Sequence, residues 1–200
     1  MRIRARYWGA GAIVALAATL VLLVALPSSA ANGAQFVRWD IISLVNGAPP
    51  GPINPGGHAS ATAPNGGGTI TLTGSGTFVA PASGGGSGAV TGGGTWTTSI
   101  DGRGTYTVTG LVSWVSAGPQ ATSPSFTDNI DDGTRTNGTA VLTVAFSDGT
   151  TGVLTVGCHG PGAPPGIIEG IATTKGYKTY TESEDPVAGI DANRTNFHVR

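Results

Sequence analysis

Residues 139–159 read TAVLTVAFSDGTTGVLTVGCH, two apolar, β-branched runs on either side of an Asp-Gly turn. That is the strongest short-range signature of an antiparallel hairpin. In its second run Leu154, Val156 and Cys158 share one side-chain parity, while Thr155 and His159 fall on the other. The first parity is apolar and expected to face a core. Cys158 then packs as a small buried hydrophobe. A nucleophilic thiol is the other reading, and His159 is badly placed to serve it, because neighbours on a strand point to opposite faces.

The same alternation runs outward from the hairpin. Over 105–115, Tyr106, Val108, Val112 and Trp114 alternate with Thr105, Thr107, Thr109 and Ser113. Val37, Trp39, Ile41 and Val45 share a parity in 35–45, as do Ile70, Leu72 and Phe78 in 69–79. Shorter strands are expected at 96–100, 167–173, 176–181 and 195–200, the last with Phe197 and Val199 inward. About eight short antiparallel strands, each with one apolar face, predict an all-β fold, read as a β-sandwich with a small closed β-barrel as the alternative. Between the strands, 46–68 is expected to be a flexible Gly/Pro-rich loop without core residues, and 80–94 a second one.

Three segments, 74–78, 92–96 and 102–106, share the pattern G-x-G-T-aromatic. One reading is a tandem ligand-binding unit. The favoured one is a turn glycine followed by a strand whose aromatic plugs the core, since spacings of 18 and 10 residues lack a repeat's steady period.

Composition narrows the function classes. Of 200 residues, 34 are glycine and only 10% are charged. Arg2, Arg4 and Arg6 precede an apolar run from Gly9 to Leu26, then Pro27 and small residues. This is the order of a secretory signal peptide, assigned to residues 1–31, with an uncleaved anchor through residues 9–26 as its rival. Residues 32–200 are then a single exported β domain with 7 basic against 11 acidic residues. A mildly acidic chain without a basic cluster lacks the footprint of a nucleic-acid binder. Its one cysteine rules out an intrachain disulfide. Asn137 and Asn193 stand in the N-x-Thr pattern of glycosylation acceptors, which has meaning only in a eukaryotic secretory pathway.

Three groups of residues are candidates for chemistry. His159, Glu169 and His198 are all expected on outward positions. Two imidazoles and a carboxylate suit a divalent-metal triad or an acid/base pair, if their strands are neighbours; three solvent-facing polar residues are the plainer reading. Asp128, Asp131 and Asp132 cluster before Gly133 like a hard-oxygen calcium loop, but without EF-hand spacing, and ordinary turn chemistry accounts for them too. Trp39 and Trp96 are candidates for stacking on sugar rings, against an ordinary place in the core. No motif of a known reaction is present. The expectation is a non-catalytic binding or structural module at or outside the cell envelope, with carbohydrate or another surface polymer as ligand and no obligatory cofactor. The competing expectation is a small secreted hydrolase or metal-dependent enzyme using His159, Glu169 and His198.

Overall fold

The computed structural model describes residues 34–44, 51–80, 89–186 and 192–200. The predicted leader and its anchor alternative lie outside them, as do Val45 and parts 46–50 and 81–88 of the glycine-rich segments; residues 80 and 90–94 of the second expected loop are strand instead, paired through glycines that fit between close backbones. Fourteen strands follow in chain order: β1 Gln35–Leu44, β2 Pro52–Pro55, β3 Ala59–Thr62, β4 Thr69–Leu72, β5 Ser75–Ala80, β6 Val90–Thr98, β7 Gly102–Pro119, β8 Thr127–Asp128, β9 Thr134–Phe146, β10 Thr151–Cys158, β11 Gly170–Lys175, β12 Lys178–Tyr180, β13 Glu182–Ser183 and β14 Thr195–Val199. The hairpin at 139–159 is β9–β10, in register from Thr151 opposite Ala145 to Cys158 opposite Gly138.

Six strands close a ring. β1 pairs with β5, β5 with β6, β6 with β7, β7 with β9, β9 with β14, and β14 returns to β1, every pair antiparallel. The all-β antiparallel class is as expected, and of the two architectures weighed the protein has the closed barrel. One apolar face per strand suits either, so parity does not separate them; closure comes from the chain's last strand entering between β1 and β9. On its free edge β6 passes from β5 to β4, and β9 passes from β14 to β10, which adds β10–β11–β12 and β4–β3–β13 to the ring.

The interior is filled by Val37, Trp39, Ile41, Phe78, Leu142, Leu154, Val156 and Phe197, all with no exposed surface. Phe78, Trp96 and Tyr106, the aromatics of the G-x-G-T repetition, are buried in this core, so the repetition marks strand entries. Glycines let the large rings lie against neighbouring backbone. A Cβ on Gly76 would stand 2.8 Å from Trp39 Nε1 and 2.2 Å from the carbonyl oxygen of Thr91; one on Gly104 would stand 2.8 Å from Trp96 Nε1.

Two expectations are corrected. Val112 does not share the inward parity of Tyr106 and Val108: it is 49% exposed and Leu111 is buried in its place. Register shifts at Val108/Gly110 and Leu111/Ser113 flip the alternation and then restore it. Nor is 46–68 a structureless loop. Its described part contains β2 and β3, with Ile53, Ala59, Ala61 and Ala63 buried. β2 pairs with β1 and, in parallel, with β8, so short Pro-flanked segments build core through small residues and one isoleucine.

This second correction positions the site. On β1, Ile42 and Leu44 form a small satellite cluster with Ile53, against which Phe126 and Ile130 pack. β2, β8 and the 120–133 segment thereby cover the outer face of the wall made by β1, β14 and β9.

Candidate functional site

Between that wall and its cover lies a cavity of about 530 Å³. Its apolar side is Ile42, Leu44, Ile53, Pro124 and Phe126; its polar side carries Gln120, Arg135, Glu169, Arg194 and Asn196, with Cys158 and the turn His159–Ala163 completing it. Local sequence explains how these side chains are held. The glycine and proline run after His159 cannot extend β10, and the turn it makes is clamped by Asn137, whose Oδ1 accepts from Gly160 N at 2.8 Å and whose Nδ2 donates to the Pro161 carbonyl. Ala121 N donates to the Pro161 carbonyl and Gln120 N to that of Arg135, tying the cover to the turn and to β9. Asn137 is fully buried in this role, and Asn193 is buried with its Oδ1 on Ser60 N, so neither asparagine of the two N-x-Thr patterns is open to a glycan in the folded protein.

Asn196 sits on the outward parity of β14, opposite Asp40 of β1. Its Oδ1 accepts from Phe197 N at 3.0 Å and from Gln120 Nε2 at 2.8 Å. A backbone N–H only donates, so this fixes which end of the amide is oxygen. The other end, Nδ2, is buried with no hydrogen-bond partner, and so is Arg135 Nη1. Arg135 otherwise approaches Asp128 at 3.9 Å and lies over the Phe126 ring. Gln120 Nε2 also reaches Cys158 Sγ at 3.2 Å.

Glu169 is a clamp. Its Oε2 accepts from His159 N at 2.5 Å and its Oε1 from Thr195 N at 2.8 Å, joining the end of β10, the approach to β11 and the start of β14. Burial pushes its carboxyl up to about 7, against the lowering effect of those two bonds and of the Arg194 charge. Burial likewise pushes the Cys158 thiol well up, with the Glu169 charge adding to it. Cys158 is thus the buried thiol expected from parity, in a setting that disfavours thiolate.

The three proposed triad members are only partly brought together. His159 and Glu169 line the same cavity, but they meet through the His159 backbone N–H; the imidazole is exposed and its Nδ1 lies 2.9 Å from the Ile167 carbonyl. Glu169 does not point outward opposite a buried Ile168. Ile168 is exposed and Glu169 turns in, because the 160–169 segment is turn rather than strand and carries no strict alternation. His198 does face out of the barrel, yet it has no exposed surface: the 120–133 cover lies over it and its Nε2 meets Asp128 Oδ2 at 2.7 Å. Among the described residues no group of three His, Cys, Asp or Glu is placed to hold a metal ion.

Asp128 and Asp132 stand against basic side chains of the chain itself. Burial alone would raise the Asp128 carboxyl, but His198 and the Ile130 and Asp131 N–H groups outweigh it and hold the carboxyl below its ordinary value. Asp132 pairs with Arg200 at 3.1 Å and approaches Arg38, while Asp131 is exposed in a left-handed turn conformation with φ 43°. Trp39 (0% exposed) and Trp96 (3%) are core residues, so neither presents a ring to a sugar.

Gln120, Arg135 and Asn196 were not singled out by the sequence. The one signal was scarcity: seven basic residues follow the leader, and two of them, Arg135 and Arg194, line this one cavity. No protein-family model, curated protein or solved structure matches the chain.

Proposed function

We propose that this protein is a non-catalytic binding module that works outside the cytoplasm and takes a small, partly apolar molecule into the cavity beside its barrel wall. One observation carries the reading: a cavity of about 530 Å³ lined by the Ile42, Leu44, Ile53 and Phe126 cluster together with a few polar groups. Small-molecule sites commonly have volumes of about 300–1,000 Å³ and this division of lining. Export rests on the leader at residues 1–31. With Trp39 and Trp96 in the core, the two rings expected to stack on a surface polymer are withdrawn from it, and the proposal moves to a small ligand. The enzymatic alternative is supported by the proton-holding carboxyl of Glu169 in the same cavity. Both its oxygens are engaged by backbone N–H groups, which favours a structural use.

The test is titration with N-phenyl-1-naphthylamine, a neutral apolar fluorophore, using protein purified after expression of the full chain. Saturable one-to-one enhancement is expected, with affinity lowered about 10-fold in Phe126→Ala, as loss of most of one buried ring's contact predicts. Unsaturable enhancement, or equal affinity in the variant, contradicts the reading.

A further inference from the structure

We infer that the ligand of this cavity is an alcohol, an apolar body with one hydroxyl that donates to Gln120 Oε1 while the hydrocarbon lies along Ile42, Ile53 and Phe126. The inference rests on the binding reading above and names the ligand class.

The argument starts from two amides whose direction is fixed by backbone. The Phe197 N–H can only donate, and it meets Asn196 Oδ1 at 3.0 Å, so that atom is oxygen. Gln120 meets the same oxygen at 2.8 Å and must therefore present its nitrogen to it. The other proton of that nitrogen goes to Cys158 Sγ, at 3.2 Å. Both protons of Nε2 are thus spent inside the wall, and Oε1 is the end left over. Among the described residues no donor reaches Oε1, yet it is not sealed from solvent as Asn196 Nδ2 and Arg135 Nη1 are. Gln120 is half-buried and lines the cavity, so its carbonyl is an acceptor that a bound molecule meets. Gly160 gives this amide its seat: a Cβ there would stand 2.6 Å from Gln120 Cδ and Nε2.

The rest of the lining narrows the partner. Both Glu169 oxygens already accept from backbone N–H groups, and Ile42, Leu44, Ile53 and Phe126 bring hydrocarbon. One open amide oxygen matches one donated proton. An ammonium brings three donors and would leave two of them against apolar side chains, which is costly. A carboxylate brings none and would set oxygen against oxygen. A hydroxyl brings one.

The test compares 1-octanol with its isomer 1-methoxyheptane, which accepts a hydrogen bond but cannot donate one. Titration calorimetry is run on protein purified after expression of the full chain. 1-Octanol is expected to bind at least about 10-fold tighter, the size of effect for leaving a site's hydrogen-bonding group unmatched. Gln120→Met keeps the side chain's length without its oxygen, and Asn196 Oδ1 retains the Phe197 N–H, so the fold is expected to persist while the preference falls to within about 2-fold. Phe126→Ala is expected to weaken both isomers about 10-fold and to keep the preference. Equal affinities in the wild type, or an undiminished preference in Gln120→Met, overturn the inference. Tighter binding of octylammonium than of 1-octanol overturns the hydroxyl in favour of a cation, and tighter binding of octanoate overturns the donor altogether. If N-phenyl-1-naphthylamine also fails to bind, the cavity reading falls with it; if it binds saturably while the isomers bind equally, only the ligand class falls.

Discussion

Gly76→Val is expected to destroy the closed barrel. Gly76 sits on β5 opposite Gly92 of β6, and even a Cβ there would stand 2.2 Å from the Thr91 carbonyl oxygen and 2.8 Å from Trp39 Nε1. The first obstacle is backbone and cannot move away as a side chain would. Relief requires β5 to separate from β6, and that pair is one of the six contacts that close the ring. Trp39, which fills the interior at this level, would be pushed off its seat at the same time. Overpacking a tight core costs about 1–3 kcal/mol where side chains give way, so at least about 3 kcal/mol is expected where backbone must. Against a total of about 5–15 kcal/mol, that removes much or all of the stability. Urea denaturation followed by tryptophan fluorescence measures it, and a midpoint within error of the wild type would refute the packing described for this wall.

The second large effect concerns acidity. Glu169 titrates near 7 in the folded protein against an ordinary value of 4.5. Between those values the folded state holds a proton that the unfolded state has released, so the folded state is favoured as pH falls. The contribution is complete below pH about 4.5 and is lost as pH rises through about 7. A shift of this size corresponds to about 3 kcal/mol. The wild type is therefore expected to lose stability over that window relative to Glu169→Gln, which carries no titrating proton. Taking the difference between the two profiles removes the contributions of all other groups. Parallel profiles from pH 4.5 to 8 would show that the carboxyl is not held as described.

What was legible in the sequence was whatever two-residue alternation encodes. Leu154, Val156 and Cys158 lie inward because nothing interrupts β10. Val112 departs from the alternation because a bulge is a backbone event with no side-chain signature, and Thr109-Gly110 offers only an ordinary glycine. Closure was illegible for a related reason: Phe197 inward is equally true of a sandwich and a barrel, and only the pairing of β14 with both β1 and β9 decides. The 46–68 segment reads as a loop because it lacks large apolar groups, yet alanines at 59 and 61 fill space where strands approach closely, and Ile53 alone completes the satellite cluster.

The candidate site was half legible. His159 and Glu169 were candidates for one group only if their strands met; the two residues do meet, although it is backbone of one that meets the side chain of the other. The polar residues gathered at the cavity were not legible, because their placement depends on contacts across the chain. Asn196 matters only because Gln120, 76 residues away in sequence, holds its oxygen. Strand parity places a side chain on a face and says nothing about what later covers that face. His198 shows this most plainly, outward as expected and wholly buried under a segment 70 residues distant.

The most direct test of the central claim, that the cavity beside the barrel wall takes up a small, partly apolar molecule, is carbon–proton NMR of the Ile42 and Ile53 δ-methyl groups, which line it, during a titration with N-phenyl-1-naphthylamine. The signals, assigned by their loss in Ile42→Val and Ile53→Val, are expected to shift saturably, in step with the fluorescence enhancement. Methyl signals that stay in place while the fluorophore saturates the protein would put the ligand elsewhere and contradict the account.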